Sequence, residues 1–402
     1  MTTHNDITPD FDEVIERRGT HSAKWDLMEQ LFGVPTKTGL SMWVADMDFR
    51  PPQCISDAIK DMHTHGIYGY YGNDAPYRAA INWWMENRHG WHVEPDWIFT
   101  THGLVNGTAM CVDTYTDPGD GIVLFTPVYH AFAKVINAND RRVIECPLVN
   151  NNGRYEMDFA AYDAQMDGSA KMVVLCSPHN PGGRVWTRDE LQGVADFAKR
   201  HDLILVSDEI HHDLVFGSKS GGAKHTVMAL VDDTITDRLI MMTAATKTFN
   251  IAGCHAGNVI IPDADLRAKF TKRMLGLGLS PNSFGVAMTE AAYSPAGAAW
   301  LDALVDYIDG NKALFEAGVN AIPGVKAMPL EATYLEWVDF SDTGMTPEEF
   351  TKRVEKDAEI AVNYGHIFGL GGDDFLRFNI AMPREHVVEA VERLHKVFGD
   401  LQ

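Results

Sequence analysis

Between about residues 97 and 261, short apolar runs alternate with stretches of helical periodicity. The runs are "WIFTT" (97–101), "GIVLF" (121–125), "RVIEC" (142–146), "KMVVLC" (171–176), "LILVS" (203–207), "LIMMT" (239–243) and "NVII" (258–261). Several are hydrophobic at almost every position, as strands buried on both faces are, and their alternation with helices gives βαβ units. One intervening segment carries its own helix signals. In "TRDELQGVADFAKR", Thr187 and Glu190 form a capping-box pattern, while Leu191, Val194 and Phe197 recur on one helical face. The expected fold class is α/β, with a sheet covered on both faces by helices.

The pattern changes in the last hundred residues. A helix near 301–318 is followed by "YLEWVDF", by "TPEEFTKRVEKDAEI" with Thr346 as cap, Pro347 in the first turn and Glu349 at the third position, by "DDFLRFNI", and by an amphipathic "REHVVEAVERLHKVF". This order predicts a smaller α+β domain over 291–402, after a large domain over 46–290. Residues 1–45 show no βαβ pattern and are expected to pack on the small domain. In "DDFLRFNI", alternation puts Leu376, Phe378 and Ile380 on one face and Phe375, Arg377 and Asn379 on the other. If the second face meets solvent, Arg377 is an ordinary surface residue. If it faces a cleft, its planar fork suits a carboxylate.

Composition narrows the function classes. The 402-residue chain is 45% hydrophobic, enough for a large core, and its 34 basic against 56 acidic residues leave a net charge of −22. Such a surface repels nucleic acid and anionic membrane. There is no run of about 18 apolar residues to span a bilayer. Arg17-Arg18 sits among acidic residues with no apolar segment after it, so it does not read as an export signal, and a cytoplasmic location is expected. Five scattered cysteines with no CxxC spacing read as reduced thiols. His63-Thr-His65 and His211-His212 lack the i, i+4 spacing of a helical zinc motif, so no metal is predicted.

In an open α/β sheet, ligands gather at the carboxyl ends of strands. Four such ends are polar here. "HGLVNGTAM" follows the first run, and Gly103 with the residues after it opens a helix whose N–H groups and dipole suit a phosphate. "SPHNPGGR" follows the fourth, "DEIHHD" the fifth, and Lys247 comes shortly after the sixth. Taken singly these are a helix start, a tight turn, a solvated strand end and a snorkelling lysine. Taken together, an anion cradle, Asn180, the carboxylate of Asp208 and the amine of Lys247 at one sheet edge match the needs of pyridoxal phosphate: a lysine for its aldehyde, a carboxylate for its ring nitrogen and a donor for its ring oxygen.

"NPGG", "SDEIHHDL" and "TKTFNIAG", in this order, resemble fold-type I pyridoxal-phosphate enzymes of the class I/II aminotransferase superfamily. "WVADMDF" (43–49), "YGYYG" (68–72), "PVYHAF" (127–132), "SPHNPGGRVW" (177–186), "DEIHHDLV" (208–215), "KTFNIAG" (247–253) and "FLRFNIAMPRE" (375–385) are similar to the MalY/PatB branch of cysteine-S-conjugate, or cystathionine, β-lyases. The resemblance implies Lys247 as Schiff-base lysine and proton carrier, Asp208 at the ring nitrogen, Asn180 at the ring oxygen with His211 nearby, and Tyr129 stacked on the ring. It implies phosphate contacts from the N–H groups of Gly103, Leu104 and Val105, and a carboxylate site at Arg377 with Asn180. It places Trp43, Asp46, Met47 and Asp48 near the substrate. It further implies a homodimer in which Tyr68, or failing that Tyr70, reaches the neighbour's phosphate. For the fold, it implies that the sheet is mixed and mostly parallel.

Two positions depart from the superfamily pattern: Ala244 stands where a phosphate-binding serine is common, and His255 where an arginine is. Phosphate anchoring is therefore expected to fall to Thr243, Thr246, His255 or the helix N-terminus. The activity implied is β-elimination of a thiol from cystathionine or a cysteine S-conjugate. An aminotransferase is the alternative, and a non-catalytic pyridoxal-phosphate-binding regulator a remote one.

Overall fold

All seven apolar runs are strands of one sheet in the computed structural model, which describes residues 9–217 and 222–401. They are β1 (Ile98–Thr101), β2 (Gly121–Thr126), β3 (Arg142–Pro147), β4 (Ala170–Cys176), β5 (Ile204–Asp208), β6 (Leu239–Thr243) and β7 (Gly257–Ile260). Their order across the sheet is β1-β7-β6-β5-β4-β2-β3. Strand β7 runs antiparallel to both neighbours and the other pairings are parallel.

Burial on both faces explains the continuous hydrophobic runs. Ile122, Leu124, Met172, Val174 and Met242 join a core layer on one side, while Val123, Phe125, Val173, Leu175 and Met241 join the layer on the other. Helices cover both. On one side α3 (Leu104–Tyr115) lies so close that a Cβ on Gly107 would stand 3.1 Å from a methyl of Val259. On the other lie α2 (Ala75–His89), which follows α1 (Gln53–His65), and α4 (Arg188–Arg200). The Thr187–Glu190 capping box at the start of α4 is formed.

After the long helix α5 (Pro295–Asn320), the chain builds a four-stranded antiparallel sheet ordered β8-β9-β11-β10 from β8 (Lys326–Ala327), β9 (Leu335–Asp339), β10 (Asn363–Tyr364) and β11 (Phe375–Asn379). Thr346 caps α6 (Pro347–Lys352), and α7 (Arg384–Val397) packs on α5. Leu40–Ser41 pairs in parallel with Ile360–Ala361. Asn379 then straps the next stretch down, its N–H donating to Met42 and its side chain to the carbonyls of Val44 and Asp46. Both faces of β11 are buried, so Arg377 is no surface residue.

One buried carboxyl makes stability depend on pH. Glu336 on β9 is fully buried and neither of its carboxyl oxygens has a hydrogen-bond partner. Burial, reinforced by Glu316, holds its pKa well above the usual carboxylate range. Because the folded value lies above the unfolded one, the stabilisation is complete below the ordinary glutamate pKa and is lost as pH rises toward the folded value. Glu336→Met, neutral and of similar size, is expected to flatten this loss and to add about 1–3 kcal/mol at alkaline pH. Calorimetric melting at acid and alkaline pH measures it; equal slopes in both proteins refute it.

Candidate active site

The carboxyl ends of β4, β5 and β6 lie side by side, with Cys176 opposite Asp208 and Asp208 opposite Met242. The polar residues that follow each strand therefore meet around one cavity of about 250 Å³. Asn180, Asp208, His211, Thr246 and Lys247 line it together with Tyr129. Gly103, Leu104 and Val105 close one end, where α3 begins. Gly103 adopts φ +84°, and no side chain caps the helix start, so its first-turn N–H groups stay available for an anion.

Three charged groups are desolvated: Asp208 and Lys247 in the cavity lining, and Arg377, which is not itself in the lining but bonds to Asn180, which is. Burial, with the nearby Glu209 charge adding to it, pushes the Asp208 carboxyl up to about 7, although it accepts the Ile210 N–H. Burial lowers the Lys247 amine to about 8. Its Nζ donates to the Ala45 carbonyl at 2.6 Å. Burial also lowers the Arg377 guanidinium to about 10, which leaves it a cation at neutral pH. His211 stays neutral, since burial and the neighbouring Lys247 and Arg377 charges hold its pKa well below the usual value.

Arg377 is only 3% exposed. Its Nη1 donates to Asn180 Oδ1 at 3.0 Å, and its Nη2 to the Trp43 carbonyl at 2.9 Å and to Asn363 Oδ1. Its Nε has no partner, and among the described residues no carboxylate pairs with it. A buried cation met by neutral oxygens and by the ring of Phe368, whose centroid lies 5.0 Å from its guanidinium carbon, but by no carboxylate among the described residues, is a site prepared for an anionic ligand.

Not every expected residue lies at the cavity. The Asp46 carboxylate is held by Arg17 at 2.9 Å through both oxygens, and Asp48 by Lys24, Arg17 and Trp25. Met47 is core. The 43–49 segment thus meets the cavity through Ala45 rather than through Asp46, whose charge still acts on Lys247. Thr243, the last residue of β6, and Ala244 after it are buried and do not line the cavity; Thr246 and His255 do. Tyr68 and Tyr70 are exposed, Tyr68 lying against Phe284 away from this chain's cavity.

Sequence reading missed the Ala45 carbonyl and Tyr334. The Tyr334 hydroxyl donates to that same carbonyl at 2.9 Å, fixing the acceptor that orients Lys247. Phe132, Ile210 and Ala252 add apolar wall, and His102 lines the same end as Gly103. All of them lie inside segments the sequence singles out, such as 43–49, 127–132, 208–215 and 247–253, but at positions that no spacing marks.

The donor set fits pyridoxal phosphate: an uncapped helix start for the phosphate, a buried carboxyl for the ring nitrogen, an amine in reach of an aldehyde, and an aromatic wall. Comparison with known proteins agrees. The model of the family "Aminotransferase class I and II" matches residues 38–394. Cystathionine beta-lyase PatB of Bacillus subtilis is 40% identical over 387 residues, covering 96% of this chain and 98% of the relative. Protein MalY of Escherichia coli is 30% identical over 391 residues, covering 96% and 97%. The crystal structure of cystalysin from Treponema denticola, which contains a pyridoxal 5'-phosphate cofactor, superposes with a TM-score of 0.92 at 37% identity over 98% of this chain and 100% of that one. With the family model spanning almost its whole length and such relatives aligned end to end, the chain belongs to the class I and II aminotransferase family.

Proposed function

We propose that the protein is a pyridoxal-phosphate-dependent carbon–sulfur β-lyase that converts cystathionine or a related cysteine S-conjugate and water into a thiol, pyruvate and ammonium. The observation that carries the reading is the unpaired Arg377 cation, buried beside Asn180 in the structure that also holds Lys247 and Asp208 at one cavity. It selects an amino-acid carboxylate. The names of the relatives, cystathionine beta-lyase above all, select elimination over transamination.

When bound, pyridoxal phosphate supplies the electron sink for bonds broken at the substrate's α-carbon. The chain supplies the rest. Arg377 and Asn180 fix the carboxylate and so choose which α-bond points at Lys247. Lys247 Nζ, with a pKa near 8, is matched to taking the α-proton near neutral pH. Asp208, whose carboxyl burial raises to about 7, would ionise beside a protonated ring nitrogen of the cofactor and hold the charge that keeps that nitrogen protonated. The substrate's β-carbon–sulfur bond then breaks, the sulfur leaves with a proton as thiol, and water replaces nitrogen on the remaining three-carbon unit. Pyruvate is expected from cystathionine with no keto acid present, measured by coupled reduction. Strict dependence on a keto-acid acceptor would instead make it an aminotransferase.

We further propose a homodimer with shared sites, which the exposed, apolar Ile67, Tyr68 and Tyr70 support. Sedimentation is expected to give two chains, and Tyr68→Ala to weaken cofactor retention; a fully active monomer would end this proposal. The dimer would carry out this chemistry in the cytoplasm, an assignment supported by five free thiols and by the absence, among the described residues, of a helix long and apolar enough to cross a membrane.

A further inference from the structure

The turn that follows β5 also borders a second, polar cavity of about 520 Å³. His89, the last residue of α2, meets His212 and Asp213 there. His89 Nε2 lies 2.8 Å from Asp213 Oδ1 and His212 Nε2 lies 3.2 Å from Asp213 Oδ2, and one ligand atom from each residue falls within 4.8 Å of the others. The two imidazoles lie with ring centroids 4.2 Å apart and planes tilted by 47°.

The hydrogen bonding of this group is incomplete. His212 is buried with no exposed side-chain surface, yet neither ring nitrogen has a hydrogen-bond partner, the 3.2 Å approach to Asp213 being misaligned. Such an imidazole, lining a cavity, is costly unless something else satisfies it. Asp213, by contrast, is oriented from behind: Trp84 Nε1 donates to it at 3.0 Å and Thr248 Oγ1 at 2.8 Å. A carboxylate aimed by outer donors, beside two imidazoles, is how metal ligands are held.

We propose that His89, His212 and Asp213 bind one divalent transition-metal ion of the zinc class, with a fourth position open to the cavity. In a tetrahedral zinc site, bonds of about 2.0–2.2 Å set ligand atoms about 3.3 Å apart. Here the two imidazole–carboxylate distances are 2.8 and 3.2 Å and all three ligand atoms lie within 4.8 Å of one another, so closing on an ion needs only a small shift. Two imidazoles and one carboxylate favour zinc, cobalt, nickel or copper over magnesium or calcium. Asp302 and Asp309 on α5 line the same cavity, Asp302 paired with Arg88 at 3.0 Å and Asp309 with Lys312 at 3.4 Å. The bound ion ties the end of α2 to the turn that leaves Asp208, so it stabilises the wall behind the cofactor site without touching it.

The test uses the purified holoenzyme, stripped with chelator and dialysed. Titrated with zinc chloride in a calorimeter, it is expected to bind one ion per chain at micromolar affinity or tighter. With cobalt chloride it should gain the intense visible bands of a four-coordinate site. His89→Ala should weaken zinc binding about 100-fold, whereas His63→Ala, on exposed α1, should leave it unchanged. No stoichiometric binding by the wild type overturns the proposal, whatever the variants do. Binding that survives His89→Ala and is lost in His63→Ala overturns it equally.

Discussion

Lys247→Ala, mixed with pyridoxal phosphate, is expected to show no absorption band of covalently attached cofactor near the visible edge. It should also release pyruvate at least about 10³-fold more slowly than the wild type. Among the cavity's described lining residues Lys247 carries the only amine, the Cys176 thiol being kept protonated by burial, and burial has lowered the amine to about 8, so a useful fraction is unprotonated at neutral pH. The Ala45 carbonyl, itself held by Tyr334, fixes where the amine points. Lys247→Arg separates charge from nucleophilicity: it keeps a cation near Asp208 but cannot deprotonate, and is expected to fail as completely. Both variants should still hold the cofactor weakly through the start of α3 and Asp208, so dialysis should remove it. A cofactor band that survives dialysis, or undiminished turnover, in Lys247→Ala would overturn the assignment of this lysine and the chemistry built on it.

How much of this was legible in the sequence follows from which signals are local. Seven strands could be read because each is buried on both faces, and side chains such as Val173 and Val174 go to opposite layers without leaving a polar position. The strand order could not, because it depends on pairings between distant segments; that β7 returns antiparallel between β1 and β6 has no mark in "NVII". The capping box at Thr187 and Glu190 is a short-range contract between neighbours, and it formed.

The candidate site divides the same way. Asn180, Asp208 and Lys247 each follow a strand at its carboxyl end, so sheet geometry alone brings them together. Alternation correctly separated Arg377 from Leu376, but could not say that both faces of β11 are covered, since one cover is the distant 42–46 segment strapped down by Asn379. Asp46 was misplaced for a related reason: its partner, Arg17, belongs to an irregular stretch with no periodicity to locate it. His89 illustrates the limit most plainly. Neither His211-His212 nor any spacing around it announces a cluster that forms only when the end of α2 reaches the turn after β5.

Arg377→Ala is expected to raise KM for the amino-acid substrate about 100-fold, with a smaller change in kcat. The guanidinium would bind a carboxylate that takes no part in bond breaking, so its contribution is common to substrate and transition state and appears mainly in KM. The magnitude follows from losing charge-assisted hydrogen bonds of about 1.5–3 kcal/mol in a buried site. Arg377→Lys, which keeps charge but loses the fork that also grips Asn180 and Asn363, should fall between. Because the variant also releases Asn180, the cofactor's visible band must be recorded alongside. The decisive comparison is a cycle with a second substrate: the corresponding amine that lacks the carboxylate. In the wild type, the amine should be far poorer than the amino acid. In Arg377→Ala the two should become nearly equal, because the group that distinguishes them is gone, and the difference between the two ratios isolates the arginine–carboxylate pairing from any general damage. If Arg377→Ala still prefers the amino acid by the wild-type factor, the carboxylate is bound elsewhere, and the buried guanidinium serves only to hold Trp43, Asn180 and Asn363 in place.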